Sequence, residues 1–301
     1  TEMLGFDANL VLIKSFIIND GKVWQNSNVA GATTFTIADL VKTRDSRFEA
    51  SFIDKALTPS ATLLYSYKFA SRDAITYIGK TYPAAWGSNT NTNDAPVMRL
   101  AEVVLNWIEA KAVLAQYFGG NLVTQSDLDK SINAIRNRPL DATAIAKGVQ
   151  KTAPLTLGSL PNDPSRDGGV PELIWEIRRE RRMEFVFEHS RLLDLKRWKK
   201  IDYMDFSRKP DYLLGPWVNI PVEIPSYLTA ATVNRVKVRK EDGTIVTWNG
   251  SNASEMVGFW VVENGQNRLP FTEQVYLAPV GQSQIIQYEE AGYTLTQTEG
   301  W

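Results

Sequence analysis

The sequence predicts a mainly helical chain with a minor β component and long irregular stretches. Three observations carry that expectation. Across 98–118, Leu100, Ala101, Val104, Leu105, Ile108, Ala112 and Ala115 recur at spacings of three and four, the period of one helix face. The string PELIWEIRRERRMEFVFE opens on Pro171, which suits a first helical turn because no intrahelical acceptor waits for the N–H it lacks. Around these runs lie stretches such as GSNTNTND, built almost wholly from turn-forming residues.

Taken in order, residues 1–60 alternate short apolar runs (LVLIKSFII, GATTFTIADL) with turn signals, which reads as strand or irregular structure around a short helix. Residues 61–97 are rich in Tyr and small polar side chains. The helix from about Met98 to Phe118 ends at Gly119-Gly120. A second helix is expected from Ser126 as N-cap, with Asp127 and Asp129 in its first turn, to Arg136, where Pro139 stops it. Two such helices joined by a short Gly-containing turn make a helical hairpin, the unit of tetratricopeptide-type arrays. Residues 140–170 read as loop, and SRLLDLKRWKK as a short helix with Ser190 as its N-cap. RVKVRKEDGTIVTW reads as a β-hairpin turning at Asp242-Gly243, and the tail to Trp301 shows little helical period.

Composition removes several chemistries. The chain has no cysteine and one histidine, His189, so disulfides, thiolate zinc sites and Cys nucleophiles are excluded. A Ser-His-Asp triad would have to rest on His189 alone, at a helix junction where capping or packing is the usual role. No metal or cofactor is called for. A net charge of −1 supplies no field towards nucleic acid or an anionic bilayer, and no apolar run has the length of a membrane span.

Two constellations stand out. Glu176, Glu180, Glu184 and Glu188 fall four apart on one helix face, where like charges repel unless cations answer them. Arg178, Arg181 and Arg182 lie beside them, and Arg191 and Arg197 follow on the next helix. An interhelical ion-pair lattice is the expected reading, with the arginines lowering the carboxyl pKa values. The second is aromatic: Tyr65, Tyr67, Tyr77, Tyr82 and Trp86 precede an amide-rich loop. Flat apolar faces beside Asn and Ser donors suit a sugar or peptide platform, with Trp86 and Tyr82 as the leading contacts. Trp24, Trp217, Trp248 and Trp260 are weaker candidates with a satellite-core alternative. NGS at 249–251 and NAS at 252–254 are read as loop sequence.

The strings PVMRLAEVVLNWIEAKAVLAQYF, SINAIRNRPL and ELIWEIRRERRMEFVFEHSRLLDLKRWKK, in that order, together with the closing TLTQTEGW, resemble the SusD/RagB family. RDSRF is similar to the family's Asp-Pro-Arg turn, with Ser46 in place of proline; His189 stands where Gly is common, and Thr298-Glu299 where Asn-Pro is usual. The resemblance covers most of residues 40–301.

That resemblance implies a SusD-like α–α superhelix: tetratricopeptide-like hairpins under a loop-rich ligand face. Read as one domain, the chain divides into an irregular ligand-face region (1–97), a helical hairpin (98–138), an Arg/Glu helix pair (171–200) and an irregular or β tail (201–301). It further implies a surface lipoprotein of the outer membrane, delivering glycan to a SusC-like TonB-dependent transporter. The N-terminal part of the family fold, with its lipid anchor, is expected to lie outside this chain. The expected ligand contacts are Trp86, Tyr82, Tyr65 and Tyr67, with Asn89, Asn91 and Asp94 as hydrogen-bonding partners, and no catalytic residue. The alternatives are a peptide-binding member, a scaffold subunit that binds no ligand, or a glycoside hydrolase, which would need a cleft carboxylate such as Asp94 or Glu102.

Overall fold

The architecture is that of a computed structural model, described for residues 7–301 apart from 88, 89, 91, 93–95, 207, 208 and 266–271. Two compact units result: Thr1–Phe187 with Asp211–Gly265, and Glu188–Pro210 with Gln266–Trp301.

The first unit opens with two short helices, α1 (Leu10–Ser15) and α2 (Ile37–Thr43), each started by a side-chain cap. Asn9 accepts from the Leu12 N–H and Thr36 from the Asp39 N–H. The long helix α3 runs Leu100–Tyr117, close to its expected limits, and ends where Gly119 takes φ +69°. Ala101, Leu105, Ile108 and Ala112 are buried as the period predicts, but Leu100 is exposed. Val103, Trp107, Leu114 and Tyr117 are exposed as well, so apolar residues occupy more of α3 than its buried face.

The expected helix 126–136 is two pieces, α4 (Gln125–Lys130) and α5 (Ile132–Arg136). Its cap is Thr124, not Ser126: Thr124 and Asp127 form a reciprocal capping box. The break is chemical. Ser131 Oγ donates to the Asp127 carbonyl at 2.6 Å, occupying the acceptor its own N–H would use, and that N–H turns to Leu128 O instead. After the one-turn α6 (Ala142–Ala146), α7 spans Glu172–Glu184, with Pro171 as its N-cap residue. Helices α3, α4, α5 and α7 enclose one core of Leu105, Ile108, Leu128, Ile132, Ile174 and Ile177. Met183 of α7 reaches a second, larger core built on Phe16, Leu40, Phe48, Phe52, Val218 and Trp260.

That second core is roofed by one antiparallel sheet of β1 (Leu214–Asn219), β2 (Lys237–Arg239), β3 (Ile245–Thr247) and β4 (Val257–Val261), in the order β1-β4-β2-β3. The β2–β3 hairpin is the one read from the sequence, pairing Val238 with Val246 and turning through Gly243 at φ +90°. In β4, a Cβ on Gly258 would stand 2.7 Å from the Arg239 carbonyl oxygen of the neighbouring strand. Gly258→Ala is therefore expected to cost about 1–3 kcal/mol through forced strand separation, measurable as a lower urea midpoint. An unchanged midpoint would show that β2 yields freely.

In the second unit, α8 (Ser190–Arg197) starts after His189, which makes no side-chain cap bond, and Ser190 is its first residue rather than its cap. Arg197 pairs with Asp194 at 2.9 Å and lies over the Trp198 ring. The tail holds a helix that its weak periodicity hides, α9 (Gln282–Glu290), which buries none of its residues. The closing string is pinned by Gln297, whose amide donates to Val280 O and accepts from Val280 N–H.

Candidate functional site

The glutamate stripe of α7 is a buried ion-pair lattice. Glu180 is fully buried and receives Arg47 at 2.7 Å and the Arg136 guanidinium at 2.5–2.8 Å. Glu184 accepts from Arg99 (2.8 Å) and from both ends of Arg138 (2.9 and 3.0 Å). Glu176 pairs with Arg179, and Arg181 with Glu109 of α3. The lattice thus joins α7 to α3, α5 and the turn at Asp45–Arg47, where Asp45 takes two hydrogen bonds from the Arg47 side chain and one from Thr152. Helix α7 ends at Glu184, the last glutamate of the stripe within it, and Phe187 turns the chain at φ +60°.

Burial and charge oppose each other at these carboxyls. Burial alone would raise Glu184, but Arg47 and the hydrogen bonds from Arg138 and Arg99 hold it below the usual range. Burial likewise works against Asp45, whose Arg47 partner still brings it well below a normal carboxylate. Glu176 goes the other way: burial outweighs Arg179 and leaves it raised, contrary to the uniform lowering expected from the sequence. For the depressed groups the unfolded chain binds protons more tightly, so their stabilisation is present above the ordinary carboxylate range and lost as pH falls through it towards their folded values. Glu176 contributes in the opposite sense, but the depressed groups outnumber it. Thermal midpoints are expected to fall steeply below about pH 4, near the unfolded carboxyl pKa values; a flat calorimetric profile from pH 6 to 3 would contradict the lattice.

The lattice positions a segment of different character. Among the described residues from 68 to 100 none is buried, and two short 3-10 turns, Arg72–Tyr77 and Ala84–Trp86, display aromatic rings there. Tyr77 and Trp86 meet edge to face with centroids 5.2 Å apart; Tyr82 stands 6.3 Å from Tyr77 and 6.5 Å from Trp86. All three rings are half-buried. Rings that pack on one another at these angles hold their orientation while keeping a face to solvent.

The structure thus brings together Trp86 and Tyr82 and adds Tyr77, five residues before Tyr82 and nine before Trp86. Tyr67 is elsewhere: it is buried, its hydroxyl donates to Glu49 O at 2.6 Å and accepts from Arg72, and this internal role removes it from the platform. Tyr65 is half-buried beside the Phe52–Ser66 bridge, its carbonyl accepting from Ile53. Asn89, Asn91 and Asp94 lie outside the described residues. Trp248 and Trp260 are core, with their indole N–H groups on Thr229 O and Ala61 O. Trp24 and Trp217 pack against Phe35 and Phe259. A separate cleft of about 390 Å³ between residues 20–26 and 154–162 has no aromatic lining.

Sequence alone missed the contacts of Arg72. It opens the platform's first turn and grips the buried Glu49 through two hydrogen bonds of 2.7 and 2.8 Å. Although burial would raise Glu49, the hydrogen bonds from Arg72 and Lys147 hold its pKa below the ordinary value. Among the described residues no group of His, Asp and Glu is arranged to hold a metal ion, and no helix is long and apolar enough to cross a membrane.

Buried ion pairs thus lock the helices, and the three rings are displayed on a segment with no fully buried residue among those described. A family model described as the SusD family matches residues 13–301, and the chain belongs to that family. Proteins of this family are in general outer-membrane lipoproteins that bind nutrients and work with SusC-like transporters. A solved structure, selenomethionine BT4246, matches with a TM-score of 0.53 at 18% identity, over 98% of this chain and 46% of that one. It shares the fold, and this chain spans about half its length. No curated protein matches the chain.

Proposed function

We propose that this protein captures glycans at the Tyr77–Tyr82–Trp86 cluster, without catalysis, and hands them to a TonB-dependent transporter at the outer-membrane surface. The ring cluster is the observation that carries this reading. Pyranose rings present flat C–H faces that stack on indole and phenol rings, and their hydroxyls hydrogen-bond to polar neighbours. Residues 74–87 carry a single charged side chain, Lys80, with Thr76 and Thr81 exposed beside the rings. This sparsely charged, hydroxyl-bearing surface favours a polyol over a charged peptide. The carboxylates of α7 offer no glycosidase pair, because they are buried on arginines rather than set across a cleft. Asn89, Asn91 and Asp94 complete the proposed contact set from the adjoining loop.

The test is titration calorimetry of the intact protein against soluble starch, xylan, pectin and inulin, with casein hydrolysate in a parallel arm. Saturable heat with at least one polysaccharide is expected. Heat with the hydrolysate alone would replace glycan by peptide, and silence in both arms from folded protein would overturn capture.

A further inference from the structure

We propose that Arg72 is the positioning residue of the ring platform, the side chain through which the rigid scaffold sets the orientation of Tyr77, Tyr82 and Trp86. This rests on the reading of those rings as the binding surface. The segment that carries them has no apolar anchor: none of the described residues between Tyr67 and Ala101 is buried. Without burial, a segment holds one conformation only through polar contacts strong enough to oppose its backbone entropy. Lys68 and Arg99 tie its two ends to the Glu184 region, Lys68 through the carbonyls of Glu184 and Val186, and Arg99 through the Glu184 carboxylate. Within the ring-bearing part, Arg72 is the first residue of the turn that ends at Tyr77.

Its guanidinium uses all of its donor capacity. Nη1 donates to Glu49 Oε1 (2.7 Å) and the Tyr67 hydroxyl (2.9 Å), Nη2 to Glu49 Oε2 (2.8 Å) and Asp141 Oδ2 (2.7 Å), and Nε to Asp141 Oδ2 (3.0 Å). Each acceptor is itself fixed. Asp141 caps α6 by accepting from Ala144 N–H at 2.7 Å. Lys147, at the other end of α6, pairs with Glu49 and Asp54, both at 2.9 Å. Arg72, Asp141, α6, Lys147 and Glu49 therefore close a ring of contacts, and the platform leaves that ring at Arg72. A lysine could keep the charge but not the planar fork that meets three acceptors at once.

The test is hydrogen–deuterium exchange of the ligand-free intact protein, comparing wild type with Arg72→Lys and Arg72→Gln. In both variants the amides of residues 74–86 are expected to exchange at least tenfold faster, while those of α3 and α7 keep their wild-type rates. Unchanged exchange at 74–86 in Arg72→Lys would overturn the proposal, as would acceleration spread equally over α3 and α7, the mark of a merely structural role. Should Arg72→Gln fail to fold, Arg72→Lys with Asp141→Asn decides, because each keeps Glu49 paired to Lys147. As no ligand is present, these results stand apart from the success or failure of glycan capture.

Discussion

Glu180→Ala is expected to lower stability by about 3–5 kcal/mol, the range for removing one partner of a buried charge pair. Glu180 is fully buried and is shared by Arg47 and Arg136, the second of which is itself 2% exposed. Deleting the carboxylate would leave two guanidinium groups facing each other across a buried cavity, away from bulk solvent. Arg47 would keep Asp45, but Arg136 would keep only its bond to the Ala153 carbonyl. Glu180→Gln supplies the comparison: it preserves volume and one acceptor oxygen and so isolates the charge. Urea unfolding of the three proteins checks the claim. A loss under 1 kcal/mol in the alanine variant would mean that the lattice is solvated and contributes little, as exposed pairs do.

That lattice also marks how far the sequence could be read. The carboxylate stripe is visible because its members are four residues apart, and the need for cations follows from repulsion. Which cations answer is a matter of tertiary structure. Arg136 lies 44 residues from Glu180, and Arg47 lies 137 from Glu184, distances over which no periodicity speaks. The sequence points to the arginines nearest in the chain, Arg178, Arg181 and Arg182 and then Arg191 and Arg197, of which Arg181 pairs with Glu109. The boundary of α3 was legible to within two residues because it is long and periodic. The break at Ser131 was not, since it depends on one hydroxyl choosing a backbone acceptor. Helix α9 escaped because a helix with no buried residue carries no apolar stripe.

For the candidate site, the limit was of another kind. Tyrosine serves core and surface alike, so composition put Tyr65 and Tyr67 among the expected contacts beside Trp86 and Tyr82. What separates Tyr67 from Tyr77 is Arg72, which takes the Tyr67 hydroxyl into a buried network and leaves the later rings outside it. Neither the network nor the ring angles can be read from a string of residues. The polar loop after Trp86 pointed to Trp86 and Tyr82 as displayed rings but not to Tyr77.

Trp86→Ala is expected to weaken polysaccharide binding about 30- to 100-fold while leaving the thermal midpoint within a degree or two of wild type. An indole at the centre of a recognition surface contributes at least about 2 kcal/mol, and each 1.4 kcal/mol is a factor of ten in affinity. Stability should change little because Trp86 is half-buried in a segment that contributes nothing to either core. Tyr77→Ala should weaken binding too, since Tyr77 meets Trp86 edge to face and fixes its plane. The double variant should lose less than the sum, because each ring positions the other. Trp107→Ala on α3 is the control, an exposed indole outside the cluster, and should bind as wild type. The measurement is calorimetric affinity for whichever polysaccharide in the panel binds, with the midpoint recorded for every variant. Equal losses from Trp86→Ala and Trp107→Ala would move the binding surface to α3, and no loss from Trp86→Ala would remove the ring cluster from recognition altogether.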